Sequence, residues 1–348
     1  MFKIINCAPS TKCNRPSKIL FPSIHFLFCS ITFWLILGCE LNQPSIDPQT
    51  QLDGPLIYDT TSHTLSDSLP APTPDQLNMP VIICVHGFTA TTYEWEEWSN
   101  YIQEQNQSNP NSPILVSRVL LGGHGRDYND FKKSTWGGWQ APVVEEYEKL
   151  KNLGYKNISF AGSSTGGALL LELLGKNYFT SKNNSALSNL FPKNFILIDP
   201  IVYPSAEILS LIDLVGWLVR NSESSGTLEE SKHWYTNRPA EALQELLKVI
   251  TRVRLQLEEG YKLPPGSYMR VYKARTDKSA SPLSALSIKK GLRDAQGKEV
   301  DIRMIATSKH VFTRLAGRSS INSSDTALQK KTFQEMYKLL LPDSIQNQ

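Results

Sequence analysis

The sequence predicts an α/β fold in which a doubly wound, mostly parallel sheet carries a helical cap insertion. Six short runs rich in Ile, Val, Leu and Phe lie between helical patterns, and none of them alternates apolar with polar residues. Such runs are typical of parallel strands whose two faces are both covered by helices. The predicted strands are Val81–His86, Ile114–Leu120, Ile158–Ala161, Phe195–Asp199, Met269–Ala274 and Val300–Ala306.

Helical patterns separate these strands, which favours repeated βαβ units and an open sheet. In such sheets ligands bind beyond the carboxyl ends of the strands. The predicted helices lie near residues 92–105, 139–153, 166–176, 283–294 and 326–341.

One long interval interrupts this alternation. Between Pro200 and Pro265 there is no predicted strand, but there are a leucine-rich segment, Ala206–Val219, and a helical pattern, Ala240–Leu257. We therefore expect a helical cap at about residues 200–265. The leucine-rich segment is apolar on more than one face, which fits an acyl-binding roof, a membrane-facing lid or a helix buried on the sheet.

The first 79 residues differ in character from the rest. Four Lys and Arg residues and no acidic residue precede Cys39, and the apolar stretch Ile19–Gly38 ends in Leu-Ile-Leu-Gly-Cys. A cationic lead followed by an apolar stretch indicates a targeting segment. Its end resembles the lipobox of bacterial lipoprotein signal peptides, in which the cysteine is diacylated and becomes the first mature residue. The alternative is an uncleaved signal anchor, since the stretch approaches the ~20 residues that span a bilayer.

The resulting domain prediction has three parts. We expect a lipoprotein signal peptide at residues 1–38, a polar, proline-rich linker at 39–79 and the folded domain at 80–345. The predicted location is the bacterial cell envelope, on the periplasmic face of the outer membrane or at the cell surface. The membrane is therefore an expected partner, through the lipid on Cys39.

Charge and cysteine content argue against several functions. From Cys39 onward, 32 Lys and Arg face 33 Asp and Glu, so there is no basic surface for nucleic acid. Cys84 is the one cysteine after Cys39 and cannot form an intrachain disulfide in the mature chain. No CxxC pair or HExxH motif occurs, so we expect no metal and no cofactor.

Residues 162–166, Gly-Ser-Ser-Thr-Gly, fit the Gly-x-Ser-x-Gly nucleophile elbow. The elbow holds a serine in a strained turn between a strand and a helix, and small neighbours let the chain pass tightly. Here the apolar ISFA precedes the motif and the helical GGALLLELLG follows it. This context favours Ser164 as a nucleophile over an ordinary serine in a glycine-rich bend.

The elbow requires a base and an acid, which follow the serine in the chain order Ser, acid, His. Four of the six histidines precede Ser164 and His233 falls in the cap interval, which leaves His310, directly after the last predicted strand. For the acid we favour Asp277, since the next strand leads straight to His310. Asp199, which ends the strand before the cap, is the rival.

An elbow also needs two backbone N–H groups that bind a developing oxyanion. The residue after the nucleophile, Thr165, supplies the first. The second is expected from the loop after an early strand, where His86-Gly87 ends the strand and Phe88 follows.

Together these residues resemble the α/β-hydrolase superfamily, in its carboxylesterase and monoacylglycerol-lipase-like branch. The resemblance implies that Ser164 is the nucleophile, Asp277 and His310 its partners, and Phe88 and Thr165 the oxyanion donors. It spans roughly residues 80–341, and its marks are HGF at 86, GGHG at 122, WGGW at 136, GSSTGG at 162, TDKSASP at 276 and the late His310.

Other positions in the resemblance carry no implied catalysis. His124, Trp136 and Trp139 match family positions that are structural. Thr165 stands where Met or Leu is common, and Gly122-Gly123 stands where a proline often occurs. These departures bear on substrate preference more than on reaction type.

The resemblance implies a membrane-tethered serine esterase or lipase that acts on a small-molecule ester or a lipid. A different class of function is a catalytically silent lipoprotein that uses the fold as a binding module. A serine peptidase or an acyltransferase on the same scaffold also stays open, because fold and triad do not determine the acceptor.

Overall fold

A six-stranded parallel sheet lies at the centre of the described part of the chain. The computed structural model describes residues 62–125, 128–180, 190–205, 221–223 and 227–341, and the predictions for residues 1–61 and Ala206–Val219 lie outside them. Each of the six predicted strands overlaps one strand of the sheet. These strands are β1 (Pro80–Val85), β2 (Leu115–Val119), β3 (Asn157–Ser163), β4 (Asn194–Ile198), β8 (Tyr268–Ala274) and β10 (Asp301–Ile305).

The spatial order of the strands is β10-β8-β4-β3-β1-β2, and every neighbouring pair is parallel. The chain reverses direction across the sheet at β1, which pairs with both β2 and β3. Such a reversal opens a crevice at the carboxyl ends of the strands. The doubly wound α/β fold class is therefore confirmed.

Helices flank the sheet, and the bounds of the six helices that the sequence predicts agree with the structure to within a few residues. Four short helices were not predicted, and two of them lie inside the predicted linker. A 3₁₀ helix at Thr92–Trp95 leads into the helix at Glu96–Ser108. The helices are α1 (Leu65–Ser68), α2 (Pro74–Asn78), α3 (Glu96–Ser108), α4 (Tyr128–Lys133), α5 (Trp136–Leu153), α6 (Thr165–Gly175), α7 (Leu228–Ser231), α8 (Ala240–Glu259), α9 (Leu283–Gly291) and α10 (Ser323–Leu340).

Four short strands form two small ribbons outside the central sheet. β5 (Asn221–Glu223) pairs antiparallel with β6 (Asn237–Pro239), and β7 (Tyr261–Lys262) pairs parallel with β9 (Leu292–Arg293).

Residues 62–79, at the end of the predicted linker, lie against the domain. The N–H of Leu65 donates to Ser117 Oγ at 3.0 Å, and Ser66 donates its N–H and its hydroxyl to Glu146 in α5. Leu65 and Ser66 are both buried. This segment is therefore attached by polar bonds to buried groups, which a composition low in apolar residues does not reveal.

The second half of the predicted cap interval is occupied by α8, which packs against the helices beside the sheet. Its apolar face is buried: Ala242, Leu243, Leu246, Val249, Ile250, Val253 and Leu257. A Cβ on Gly175 of α6 would lie 2.5 Å from Gln256, and one on Gly291 of α9 would lie 2.1 Å from Leu257 O. The helix thus follows α6 and α9 at close range.

Among the residues that the structure describes, no helix is both long enough and apolar enough to span a bilayer.

The start of α6 lies unusually close to the end of β1. A Cβ on Gly166 would lie 2.2 Å from Val85 O and 2.6 Å from His86 O, well inside contact distance. The glycine therefore lets the helix that follows Ser164 approach the sheet backbone directly.

We predict that Gly166→Ala lowers the free energy of unfolding by about 3 kcal/mol, since overpacking against backbone forces α6 away from β1. Gly137→Ala is the matched control, because a Cβ there meets nothing within 4 Å and Gly137 is exposed inside α5. Gly137→Ala should raise the free energy of unfolding by up to about 1 kcal/mol, because Ala has a higher helix propensity than Gly. Urea titration followed by circular dichroism measures both, and equal midpoints for the two variants would contradict the close approach.

Candidate active site

Ser164 occupies the sharp turn between β3 and α6. Its backbone has φ 48° and ψ −113°, a conformation that non-glycine residues rarely adopt. Two hydrogen bonds fix the turn: the N–H of Ser164 donates to Ile198 O at 2.9 Å, and the N–H of Ile201 donates to Ser164 O at 3.2 Å. The strained backbone presents this side chain at the carboxyl end of β3.

Three further residues around Ser164 also have positive φ. Thr89 has φ 64°, Asp199 φ 47° and Val311 φ 50°. A β-branched residue such as Val311 at positive φ is a marked outlier. Strain of this kind persists only where surrounding contacts fix the backbone, and it concentrates at functional sites.

Glu94, in the 3₁₀ helix, joins the loop after β1 to the elbow. Its carboxylate accepts the N–H of Gly87 at 2.8 Å and the hydroxyl of Ser163. A Cβ on Gly87 would lie 3.1 Å from Ser164 Cβ, so the loop passes directly beside the serine. Glu94 therefore sets the distance between the Phe88 loop and Ser164, a role that the sequence analysis missed.

His86 is fully buried at the base of the same loop and has a fixed tautomer. The N–H of Leu121 donates to Nε2 at 3.0 Å, so Nδ1 carries the hydrogen and donates to Gly87 O at 2.9 Å. Burial lowers the pKa of His86 to about 4. This histidine is thus uncharged at neutral pH and holds the loop.

The Phe88 side chain is fixed by an aromatic cluster. Its ring centroid lies 5.3 Å from that of Phe131, 5.8 Å from Trp139 and 6.5 Å from His124. Trp139 and His124 are fully buried. The two residues therefore lie in the packing behind the loop, as expected for structural positions.

His310 follows β10, and its Nδ1 lies 2.7 Å from Asp277 Oδ2. The other oxygen, Oδ1, accepts the N–H groups of Ser279 at 2.7 Å and Ala280 at 3.1 Å. Burial alone would raise the pKa of Asp277, but His310 and the ammonium of Lys273 outweigh it and hold that pKa below its usual range. Asp277 is therefore an anion that orients the imidazole.

Lys273 lies beneath this pair with no exposed surface. Its Nζ is 2.9 Å from Asp199 Oδ1 and 2.5 Å from Asp277 Oδ2. Asp199 also accepts the N–H of Ala274 at 2.7 Å and that of Val311 at 2.8 Å. Asp199 thus fixes the backbone at the end of β8 and directly after His310, whereas Asp277 contacts the imidazole of His310.

Ser164, Thr165, Phe88 and His310 line one cavity of about 280 Å³. The residues come from the loops after β1, β3 and β10, so the cavity lies at the carboxyl ends of the strands, where this fold binds ligands. Apolar and charged side chains complete the lining: Ile201, Trp234, Leu243, Leu246, Val311, Glu94, Glu230, Arg238, Arg314 and Arg318.

Within the described residues, Asp199, Asp277 and His310 form the cluster of metal-ligand side chains, with ligand atoms within 4.8 Å of one another. The ammonium of Lys273 already bonds both carboxylates and would repel a second cation. The donor set therefore does not fit a metal ion.

The structure brings together the residues that the sequence analysis proposed for catalysis. Ser164 and His310 line the same cavity, Asp277 is bonded to His310, and Asp199 is turned to Lys273 and Val311. Cys39 lies outside the described residues. Lys273 was missed, although a lysine inside an apolar strand four residues before Asp277 signals a buried ion pair.

Comparison with known sequences finds similarity to a family model and to an individual enzyme. The family model described as "Putative serine esterase (DUF676)" matches residues 76–200. The thermostable monoacylglycerol lipase of Bacillus sp. (strain H-257) is 23% identical over 207 residues, which cover 55% of this chain and 74% of that protein.

Comparison with solved structures shows the fold. The chain is similar to the monoacylglycerol lipase of Paleococcus ferrophilus, with a TM-score of 0.53, 9% identity and coverage of 75% of this chain and 96% of that one. It is also similar to a soluble variant of the Saccharomyces cerevisiae monoglyceride lipase, with a TM-score of 0.54, 10% identity and coverage of 76% and 89%. The described domain therefore has the α/β-hydrolase fold.

Proposed function

We propose that this protein is a serine hydrolase that cleaves carboxylic esters through an acyl-enzyme on Ser164. One observation carries the proposal: the imidazole of His310 is bonded through Nδ1 to Asp277 and lines the same cavity as the strained Ser164. The similarity to a described serine esterase family and to a monoacylglycerol lipase supports ester hydrolysis.

Proton transfer follows from the tautomer of His310. A hydrogen on Nδ1, donated to Asp277, leaves Nε2 able to accept the proton of Ser164 as its oxygen attacks the ester carbonyl. Asp277 stabilises the imidazolium that forms. His310 then gives the proton to the leaving alcohol, and a water molecule hydrolyses the acyl-enzyme by the same steps.

The oxyanion of the tetrahedral intermediate would be bound by the backbone N–H groups of Phe88 and Thr165. Thr165 is the first residue of α6, whose positive N-terminal dipole favours an anion there. The loop that carries Phe88 is held against the elbow by Glu94 and packed from behind by aromatic rings. Such a preformed pair of donors typically lowers the barrier by several kcal/mol.

The apolar part of the cavity suits an acyl chain. Ile201, Trp234, Leu243, Leu246 and Val311 face it together with the nucleophile. The names of the similar proteins, a monoacylglycerol lipase and a monoglyceride lipase, favour a glycerol ester or a related lipid as the substrate class.

We further propose that the domain acts at a bacterial membrane surface, anchored by lipid on Cys39. The support is the cationic, apolar, cysteine-ending N-terminus of the sequence. A lipid anchor would place the cavity near esters that partition into the bilayer.

The role of Ser164 as the nucleophile can be tested directly. The full chain in neutral detergent should hydrolyse p-nitrophenyl butyrate and be labelled by a fluorophosphonate probe, and Ser164→Ala should abolish labelling and lower kcat by at least about a thousandfold. Ser68→Ala is the matched control: its hydroxyl bonds Thr64 O and Leu65 O and does not line the cavity, so labelling should persist. Equal turnover by Ser164→Ala and the parent would refute the esterase proposal. If the probe labels neither the parent nor Ser164→Ala, the result would favour a catalytically silent binding module.

The second prediction concerns the anchor. Mass spectrometry of the mature N-terminal peptide from bacterial membranes should find Cys39 as the first residue, carrying a diacylglyceryl group. Cys39→Ser should abolish both the lipid and the cleavage. An intact Met1 would identify an uncleaved anchor instead, and a mature Cys39 without lipid would contradict the lipoprotein.

A further inference from the structure

Arg238 is a half-buried cation in the cavity that contains Ser164. It belongs to the short strand β6 and lines the same cavity as Ser164 and His310. Its Nε is shielded from solvent and has no hydrogen-bond partner, and no carboxylate among the described residues forms an ion pair with it. Burial lowers the pKa of the Arg238 guanidinium, with no neighbouring anion to offset that effect.

The other two arginines of the cavity have counter-charges. Arg314 Nη2 lies 2.8 Å from Glu230 Oε1, and its guanidinium stacks 4.0 Å from the ring centroid of Trp234. Arg318 Nε lies 3.9 Å from the same Glu230 oxygen, and its Nη2 donates to the carbonyl of His310.

Among the charged side chains that line the cavity, arginines outnumber carboxylates by one. Arg238, Arg314 and Arg318 face two carboxylates, those of Glu94 and Glu230. Glu94 is already engaged by Gly87 and Ser163 behind the nucleophile, and Glu230 by Arg314. Arg238 is therefore the lining arginine that has no carboxylate partner among the described residues.

A guanidinium stays protonated, and shielding it from water is unfavourable unless an anion pairs with it. Its planar fork binds carboxylate and phosphate groups through two parallel hydrogen bonds. A carboxylate or phosphate group in the cavity would therefore supply the counter-charge that Arg238 lacks.

We propose that the ester cleaved at Ser164 carries an anionic group, a carboxylate or a phosphate, that Arg238 binds. The proposal rests on the esterase function above and defines its substrate class. Esters that combine an apolar acyl chain with one negative charge fit the cavity, which is lined by apolar side chains and by the unpaired Arg238 together with the nucleophile.

The test compares matched neutral and anionic esters with the full chain in neutral detergent. One pair is monobutyrin and 1-butyrylglycerol 3-phosphate, and the other is p-nitrophenyl octanoate and mono-p-nitrophenyl suberate. We expect kcat/KM to be at least tenfold higher for the anionic member of at least one pair. The first pair reports a phosphate on the alcohol, and the second a carboxylate on the acyl chain.

Variants assign that preference to a residue. Arg238→Met should lower the ratio of anionic to neutral kcat/KM by at least tenfold, and Arg238→Lys should keep part of it. Arg254→Met is the matched control, since Arg254 lies in α8 over the ring of Tyr203 and does not line the cavity. Its ratio of anionic to neutral kcat/KM should stay within about twofold of the parent's ratio.

The outcomes separate the two proposals. Ser164-dependent hydrolysis of the neutral esters with no anionic preference in either pair would overturn this inference and leave the esterase intact. The inference would also be overturned if Arg238→Met, verified as folded by circular dichroism, kept the parent's ratio of anionic to neutral kcat/KM. If Arg238→Met does not fold, the test rests on the parent, which must prefer the anionic member of at least one pair, and on Arg238→Lys, which must keep only part of that preference. No Ser164-dependent hydrolysis of any of the four esters would overturn both proposals.

Discussion

The candidate active site around Ser164 and His310 depends on one buried ammonium group. Lys273 has no exposed surface, and its Nζ bonds Asp199 on one side and Asp277 on the other. A buried charge without a partner is strongly destabilising, so the two carboxylates and the lysine require one another. Because Lys273 carries one charge and the carboxylates two, the cluster keeps a net negative charge, which lies beside His310.

This cluster also determines the backbone around the histidine. Asp199 accepts the N–H of Ala274, at the end of β8, and that of Val311, the residue after His310. Val311 has φ 50° and Asp199 has φ 47°, so both conformations need an external constraint. The same carboxylate that balances Lys273 supplies it, which links the electrostatics of the cluster to the position of the imidazole.

Much of this arrangement could be predicted from the sequence because its signals are local. Unbroken apolar runs predict the six parallel strands, and the Gly-x-Ser-x-Gly spacing predicts the turn at Ser164. Chain order leads to His310 once His233 is assigned to the cap interval. The division of roles between Asp199 and Asp277 is not local, because topology brings both to one edge of the sheet and does not determine where each side chain points.

Other features depend on contacts between distant segments. Glu94 looks like an ordinary charged residue until the residues that pack against it are known, and Lys273 signals an ion pair without identifying both of its partners. The apolar face of α8 predicts burial but not whether the helix lies over the sheet edge or beside the sheet. The unpaired charge of Arg238 emerges only once the carboxylates of the cavity are assigned to other partners.

Asp277 orients His310 and stabilises the imidazolium that forms during the reaction, whereas Asp199 balances Lys273. The most direct measurement is kcat for p-nitrophenyl butyrate with Asp277→Asn and Asp199→Asn, each verified as folded by circular dichroism. The account predicts a loss on the order of 10³ to 10⁴ for Asp277→Asn, as for other triad acids, and a clearly smaller loss for Asp199→Asn. An equal or larger loss for Asp199→Asn, with Asp277→Asn close to the parent, would contradict it.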